Sequence, residues 1–117
     1  MARRRLVRGR RRGRLELAED ALLRALALQE DHADAWTVLG MVYEMQGKPE
    51  IAQGALKRAL HFRPNHPLAH NSLGIVYECL GHRREAAASY RRALEIHPQL
   101  SYATENLTSL LEGELET

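Results

Sequence analysis

Trp36-Thr37-Val38-Leu39-Gly40-Met41-Val42-Tyr43 returns thirty-four residues later as His70-Asn71-Ser72-Leu73-Gly74-Ile75-Val76-Tyr77. The echo continues downstream: Ala52, Leu56, Ala59 and Pro64 come back as Ala86, Tyr90, Ala93 and Pro98, again offset by 34. A fixed period of this length marks one supersecondary unit stacked on copies of itself. Within the unit, Trp36, Leu39, Gly40 and Tyr43 share one helical face at about 100° per residue. Gly47 and Gly81 follow the first helix of each unit, where a left-handed cap favours glycine. Pro49 suits the first turn of the next helix, and Asp31 and Asn65 are the expected N-caps. Gly40 and Gly74 each cost about 1 kcal/mol relative to alanine inside a helix. That cost makes sense where two backbones meet closely, opposite the small Ala52 and Ala86, with Leu56 and Tyr90 filling the space between helices.

The pattern W-x2-L-G-x2-Y, then A-x3-F, then P, at a spacing of about 34 residues, resembles the tetratricopeptide repeat (TPR) family. Residues 33–66 carry it with Leu56 at the aromatic position, and residues 67–100 carry it with His70 in place of tryptophan. Ala18, Leu22 and Ala25 stand 34 before Ala52, Leu56 and Ala59, so a partial repeat spans 15–32 and its second helix 15–28. Leu107 and Leu111 stand 34 after Leu73 and Tyr77, which places a closing helix at 101–112 and leaves 113–117 as a tail. The resemblance implies an all-α solenoid: a superhelical array of antiparallel helix pairs, with the remaining helices at 33–46, 49–62, 67–80 and 83–96.

At 117 residues the chain is one domain by length. No run is long and apolar enough to span a membrane. Cys79 is the single cysteine, so no internal disulfide framework exists and a reducing compartment such as the cytoplasm is the default. The net charge of +2 hides an asymmetry, because residues 1–14 hold eight arginines and no acid. The rest carries nine Lys and Arg against fifteen Asp and Glu, a net of −6. The Arg-rich start reads as a disordered or degenerate first helix, as an arm gripping nucleic-acid phosphates, or as a targeting cluster. As a first helix it offers only Leu6 and Val7, which would leave Leu15, Leu22, Leu23 and Leu26 incompletely covered. Such a face invites a homo-oligomer through residues 15–28.

The resemblance also implies a concave groove, lined by the faces of the first helices opposite the core stripe, that receives a protein or peptide partner. The candidate lining is Asp34, Thr37, Val38, Met41, Glu44 and Met45; then Leu68, Asn71, Ser72, Ile75, Glu78 and Cys79; then Tyr102, Glu105, Asn106, Ser109 and Glu112. Five of these seventeen are acidic and none is Lys or Arg. Glu44, Glu78 and Glu112 are spaced by 34 and form an expected acidic ladder. TPR members that hold a C-terminal carboxylate do so with groove Lys, Arg and Asn; here Thr37, Leu68 and Ser72 stand at the matching basic positions. The expected occupant is therefore an apolar segment carrying Lys or Arg, and the protein is a non-catalytic scaffold. A nucleic-acid adaptor and a regulatory segment of a larger enzyme are the alternatives. Lys57, Arg58, Arg84, Arg91 and Arg92 belong to the opposite, convex side.

Some residues imitate chemistry. His66-x-x-x-His70 has metal-ligand spacing, but the first histidine opens a helix and the second holds a core position, so a capping or packing role is expected. Cys79-x-x-His82 is half a zinc site, which needs about four ligands. Cys79 as a nucleophile lacks a base and an orienting group. No cofactor or metal is expected.

Overall fold

The computed structural model describes residues 13–116, with the side chain of Glu116 excepted. Over those residues the chain is six helices: α1 (Arg14–Leu28), α2 (Ala33–Met45), α3 (Pro49–Phe62), α4 (Pro67–Cys79), α5 (Arg83–Ile96) and α6 (Ser101–Glu116). α2 packs on α3 and α4 on α5 within the repeats, while α1–α2, α3–α4 and α5–α6 contacts join one unit to the next. α2 also touches α4, and α4 touches α6, so the first helices form one inner layer. The array measures 54 × 37 × 23 Å.

The helix boundaries follow from local chemistry. Pro49 and Pro67 occupy the first turns of α3 and α4, where no backbone N–H is needed. Gly47 and Gly81 adopt φ of 76° and 81°, a left-handed turn that side chains with a Cβ resist. The expected caps Asp31 and Asn65 are displaced by one residue. His32 and His66 are the N-caps, and their Nδ1 atoms accept from the N–H groups of Ala35 (3.1 Å) and Ala69 (3.2 Å). α6 runs to Glu116, four residues beyond the expected end at 112, because Gly113 lies within the helix rather than closing it. Arg14 opens α1 and so belongs to the array, whereas the rest of the Arg-rich start, residues 1–12, lies outside the described residues.

The core is built at the repeat positions. Leu39 is 1% exposed, and Ala52, Leu56, Ala59, Ala86, Tyr90 and Ala93 are fully buried. Burying a leucine or tyrosine this completely contributes about 2 kcal/mol each. A Cβ on Gly40 would lie 2.6 Å from Leu56 Cγ and 3.3 Å from the Ala52 carbonyl, so the close backbone approach is real. Two further echoes sit in the core: Ala35, Ala69 and Ala103, and Val42, Val76 and Leu110. At the N-terminal end, Leu26 is buried against Ala35 and Leu39, and Leu22 packs on the same cluster. The expected exposure of Leu26 is thus corrected, since α2 alone covers that side of α1. Leu17, Leu23 and Leu28 remain exposed.

Candidate functional site: the inner cleft

The first helices enclose a cleft of about 490 Å³ between α2, α4 and α6. Its walls are Gly40, Met41, Glu44, Met45, Leu68, Asn71, Ser72, Ile75, Val76, Tyr102 and Asn106. Nine of the seventeen expected groove residues are in this set; Gly40 and Val76 are additions. Gly40 contributes because a core glycine leaves the floor open beneath it. Val76 could have been found from the 42–76–110 echo, which reaches the inner layer. Met45 and Tyr102 stand 57% and 63% exposed at the rim. Glu44 is the one charged wall residue, so the cleft is apolar with a single negative charge. Asn106 Nδ2 donates to Asn71 Oδ1 at 3.1 Å and links α6 to α4 across the floor.

The other eight expected residues are not in the cleft. Thr37 is 1% exposed, with its hydroxyl donating to the Ala33 carbonyl at 3.0 Å, so it is a helix-interior packing group. Asp34 ties the start of α2 to the segment between α3 and α4: its carboxylate accepts from His66 Nε2 at 2.7 Å and from Arg63 Nη1 at 3.3 Å. Those contacts hold the Asp34 carboxyl below its ordinary range, the His66 hydrogen bond foremost. The same histidine caps α4 through Nδ1, which fixes its proton on Nε2 and leaves no ring nitrogen for a metal. The acidic ladder does not form in the cleft. Glu78 accepts a hydrogen bond from the buried Tyr90 hydroxyl, and Glu112 is exposed outside the walls. Burial, then Glu78, pushes the Tyr90 phenol far above its ordinary value. Val38, Glu105 and Ser109 are exposed beyond the walls, as is Cys79.

Cys79 Sγ donates to Glu44 Oε1 at 4.0 Å. Burial and then the charges of Glu44 and Glu78 raise its thiol, which suppresses the nucleophilic thiolate. His70 repeats the role of Trp36. The indole Nε1–H donates to the Glu30 carbonyl at 2.7 Å, and His70 Nε2 meets the Pro64 carbonyl at 2.9 Å, each six residues upstream. Burial lowers the His70 pKa and favours the neutral ring that makes this bond. On the convex side, Arg58 lies over the rings of Trp36 and Phe62 at 5.4 and 5.5 Å. Among the described residues no three His, Cys, Asp or Glu side chains are grouped to hold a metal, and no helix is long and apolar enough to cross a membrane.

Family profiles described as tetratricopeptide repeat match residues 67–100 and 10–50. No curated protein sequence matches significantly. Among solved structures, the chain is similar to the first TPR of Spaghetti (RPAP3) bound to the HSP90 peptide SRMEEVD, with TM-score 0.82, 20% identity, and 88% of this chain covering 82% of that one. It is similar to TTC0263, a thermophilic TPR protein of Thermus thermophilus, with TM-score 0.75 and 30% identity over 83% of this chain and 50% of that one. It is also similar to a Thermobaculum terrenum O-GlcNAc transferase, with TM-score 0.81 and 28% identity over 85% of this chain but 19% of the other. With the 34-residue echo, the glycine contacts and the paired helices, these matches place the chain in the tetratricopeptide repeat family.

Proposed function

We propose that the protein is a non-catalytic interaction scaffold whose inner cleft holds a short partner segment with large apolar side chains and a Lys or Arg beside Glu44. The observation that carries this reading is the cleft itself: about 490 Å³, walled by Met41, Met45, Leu68, Ile75 and Tyr102, with Glu44 as its one charge. Pockets of this size and character suit apolar groups oriented by a few polar contacts, and methionine adapts its shape to varied partners. The similar RPAP3 domain, which holds an acidic HSP90 peptide, supports peptide binding as a use of this fold. The wall chemistry here favours the opposite charge. His66 and His70 are both engaged in structural hydrogen bonds and the Cys79 thiol is raised, which supports a non-catalytic role. The free Cys79 also fits the reducing environment of the cytoplasm.

The test is calorimetry with a short probe peptide rich in leucine and lysine. Ile75→Asp should weaken binding at least about tenfold, because it puts a charge in the apolar wall. Glu44→Lys should weaken it by up to about fivefold, the scale of an exposed ion pair. Unchanged affinity in both variants would reject the cleft as the binding site. A nucleic-acid role for the Arg-rich start would instead show as binding to duplex DNA that falls steeply with salt.

A further inference from the structure

α1 delivers the start of the chain to the acidic end of the inner layer. α2, α4 and α6 are the same helix of successive units, so their C-terminal ends lie together, and Cys79 Sγ of α4 donates to Glu44 Oε1 of α2 there. Glu44 stands in the cleft wall, and Glu78 and Glu112 hold the same repeat position outside it. α1 runs antiparallel to α2. Its Leu26 is buried on Ala35 and Leu39, whereas Glu19, earlier in α1, accepts from Gln46 Nε2 at 3.0 Å just past the end of α2. Gly13 precedes Glu19 by about 9 Å of helix, and residues 1–12 precede Gly13. Those twelve residues span up to roughly 40 Å when extended, and the array is 37 Å across its second dimension, so the cleft is within their reach.

Building on the proposed function of the cleft, we propose that residues 1–12 are its intramolecular occupant: Leu6 and Val7 lie against the apolar wall, arginines beside them meet Glu44, and a partner segment must displace them to bind. The segment has the composition that the walls select. It reads MARRRLVRGRRR, two large apolar residues among seven arginines with no acid. From residue 13 onward the chain holds ten Lys and Arg against fifteen Asp and Glu, so charge draws the segment back onto the array. The 34-residue register denies it the role of a regular first helix. Arg5 would take the place of the buried Leu39, and Leu6 that of Gly40, where a Cβ alone would stand 2.6 Å from Leu56 Cγ. Tethering makes weak contacts sufficient. Exposed Arg–Glu pairs are individually weak, but a short link holds the segment at an effective concentration on the order of millimolar, so contacts of millimolar affinity fill the cleft about half the time. A partner then meets a site that is only fractionally free, and its apparent affinity falls by that fraction.

Two measurements on the full chain test this. In calorimetry with the leucine- and lysine-rich probe, a Leu6→Asp, Val7→Asp double variant should bind about two- to tenfold more tightly than the unaltered chain, because its cleft is free. In a Cys79→Ser background, a nitroxide attached at Ala2→Cys should broaden the NMR resonances of Met41, Leu68, Ile75 and Tyr102, and the probe should sharpen them again. Equal probe affinity for both chains, with those four resonances sharp, overturns the proposal and leaves the cleft as a peptide site. A probe that binds neither chain, with the resonances sharp, removes the cleft's function and the proposal with it. Broadening centred on Leu17 and Leu28 places the segment on α1 and overturns the proposal. So does broadening that appears only when nitroxide-bearing chains are mixed with isotope-labelled chains lacking it, which assigns the cleft to the start of a second copy.

Discussion

Gly74 and Tyr90 occupy one space. A Cβ at Gly74 would stand 2.6 Å from Cδ1 of Tyr90, a ring with no room to retreat because it is fully buried. Gly54, by contrast, sits mid-helix in α3 with nothing within 4 Å of an added Cβ. The two glycines should therefore respond to alanine with opposite signs. Gly54→Ala should stabilise by about 0.5–1 kcal/mol, the helix-propensity gain. Gly74→Ala gains the same propensity but overpacks the core at a cost of about 1–3 kcal/mol, and should be destabilised by up to about 2 kcal/mol net. Urea unfolding of both variants decides the matter; a Gly74→Ala protein as stable as Gly54→Ala would mean that the repeat glycine is not a packing residue. This pairing was legible in the sequence, because a costly helix glycine facing an alanine and a large residue at fixed spacing implies close packing at that point.

Helix ends were less legible than helix faces. Faces follow from a periodic apolar pattern that many residues share, whereas a cap depends on which one side chain reaches the free N–H groups. Asp31 and Asn65 have the better cap chemistry, yet His32 and His66 lie one residue closer and bond directly. Their signal was a 34-residue echo of histidine, masked by the metal-like spacing of His66 and His70. In His66 the ring does two jobs, capping α4 and bridging to Asp34 of α2. His66→Ala should lose both and cost about 1–2 kcal/mol. His66→Asn, which can still cap, should recover part of that loss. Thermal unfolding of the pair at neutral pH checks this, and equal losses in both variants would show that the cap contributes nothing.

At the scale of the molecule, stacking the first helices side by side makes both the core and the cleft. The repeat pattern located the inner layer, and nine of the expected lining residues meet there. It did not encode how each polar side chain turns. Thr37 and Glu78 share the inner face by helical angle, but a backbone carbonyl and the Tyr90 hydroxyl respectively engage them, and Asp34 is held by His66 and Arg63. These hydrogen bonds cross between helices or turn back along one, and a one-dimensional period carries no record of them. The consequence is a cleft less acidic than the composition of its face, with Glu44 as its one charged wall residue and, in the proposed function, the source of its charge preference. The proposed preference is opposite in charge to the peptide SRMEEVD held by the similar RPAP3 domain. Two-dimensional NMR of the labelled protein titrated with the leucine- and lysine-rich probe, and separately with SRMEEVD, tests it most directly. The probe should shift resonances of Met41, Leu68, Ile75 and Tyr102, while SRMEEVD leaves them in place; shifts induced by SRMEEVD at those residues, or by the probe only elsewhere, would contradict a cleft selective for apolar, basic segments.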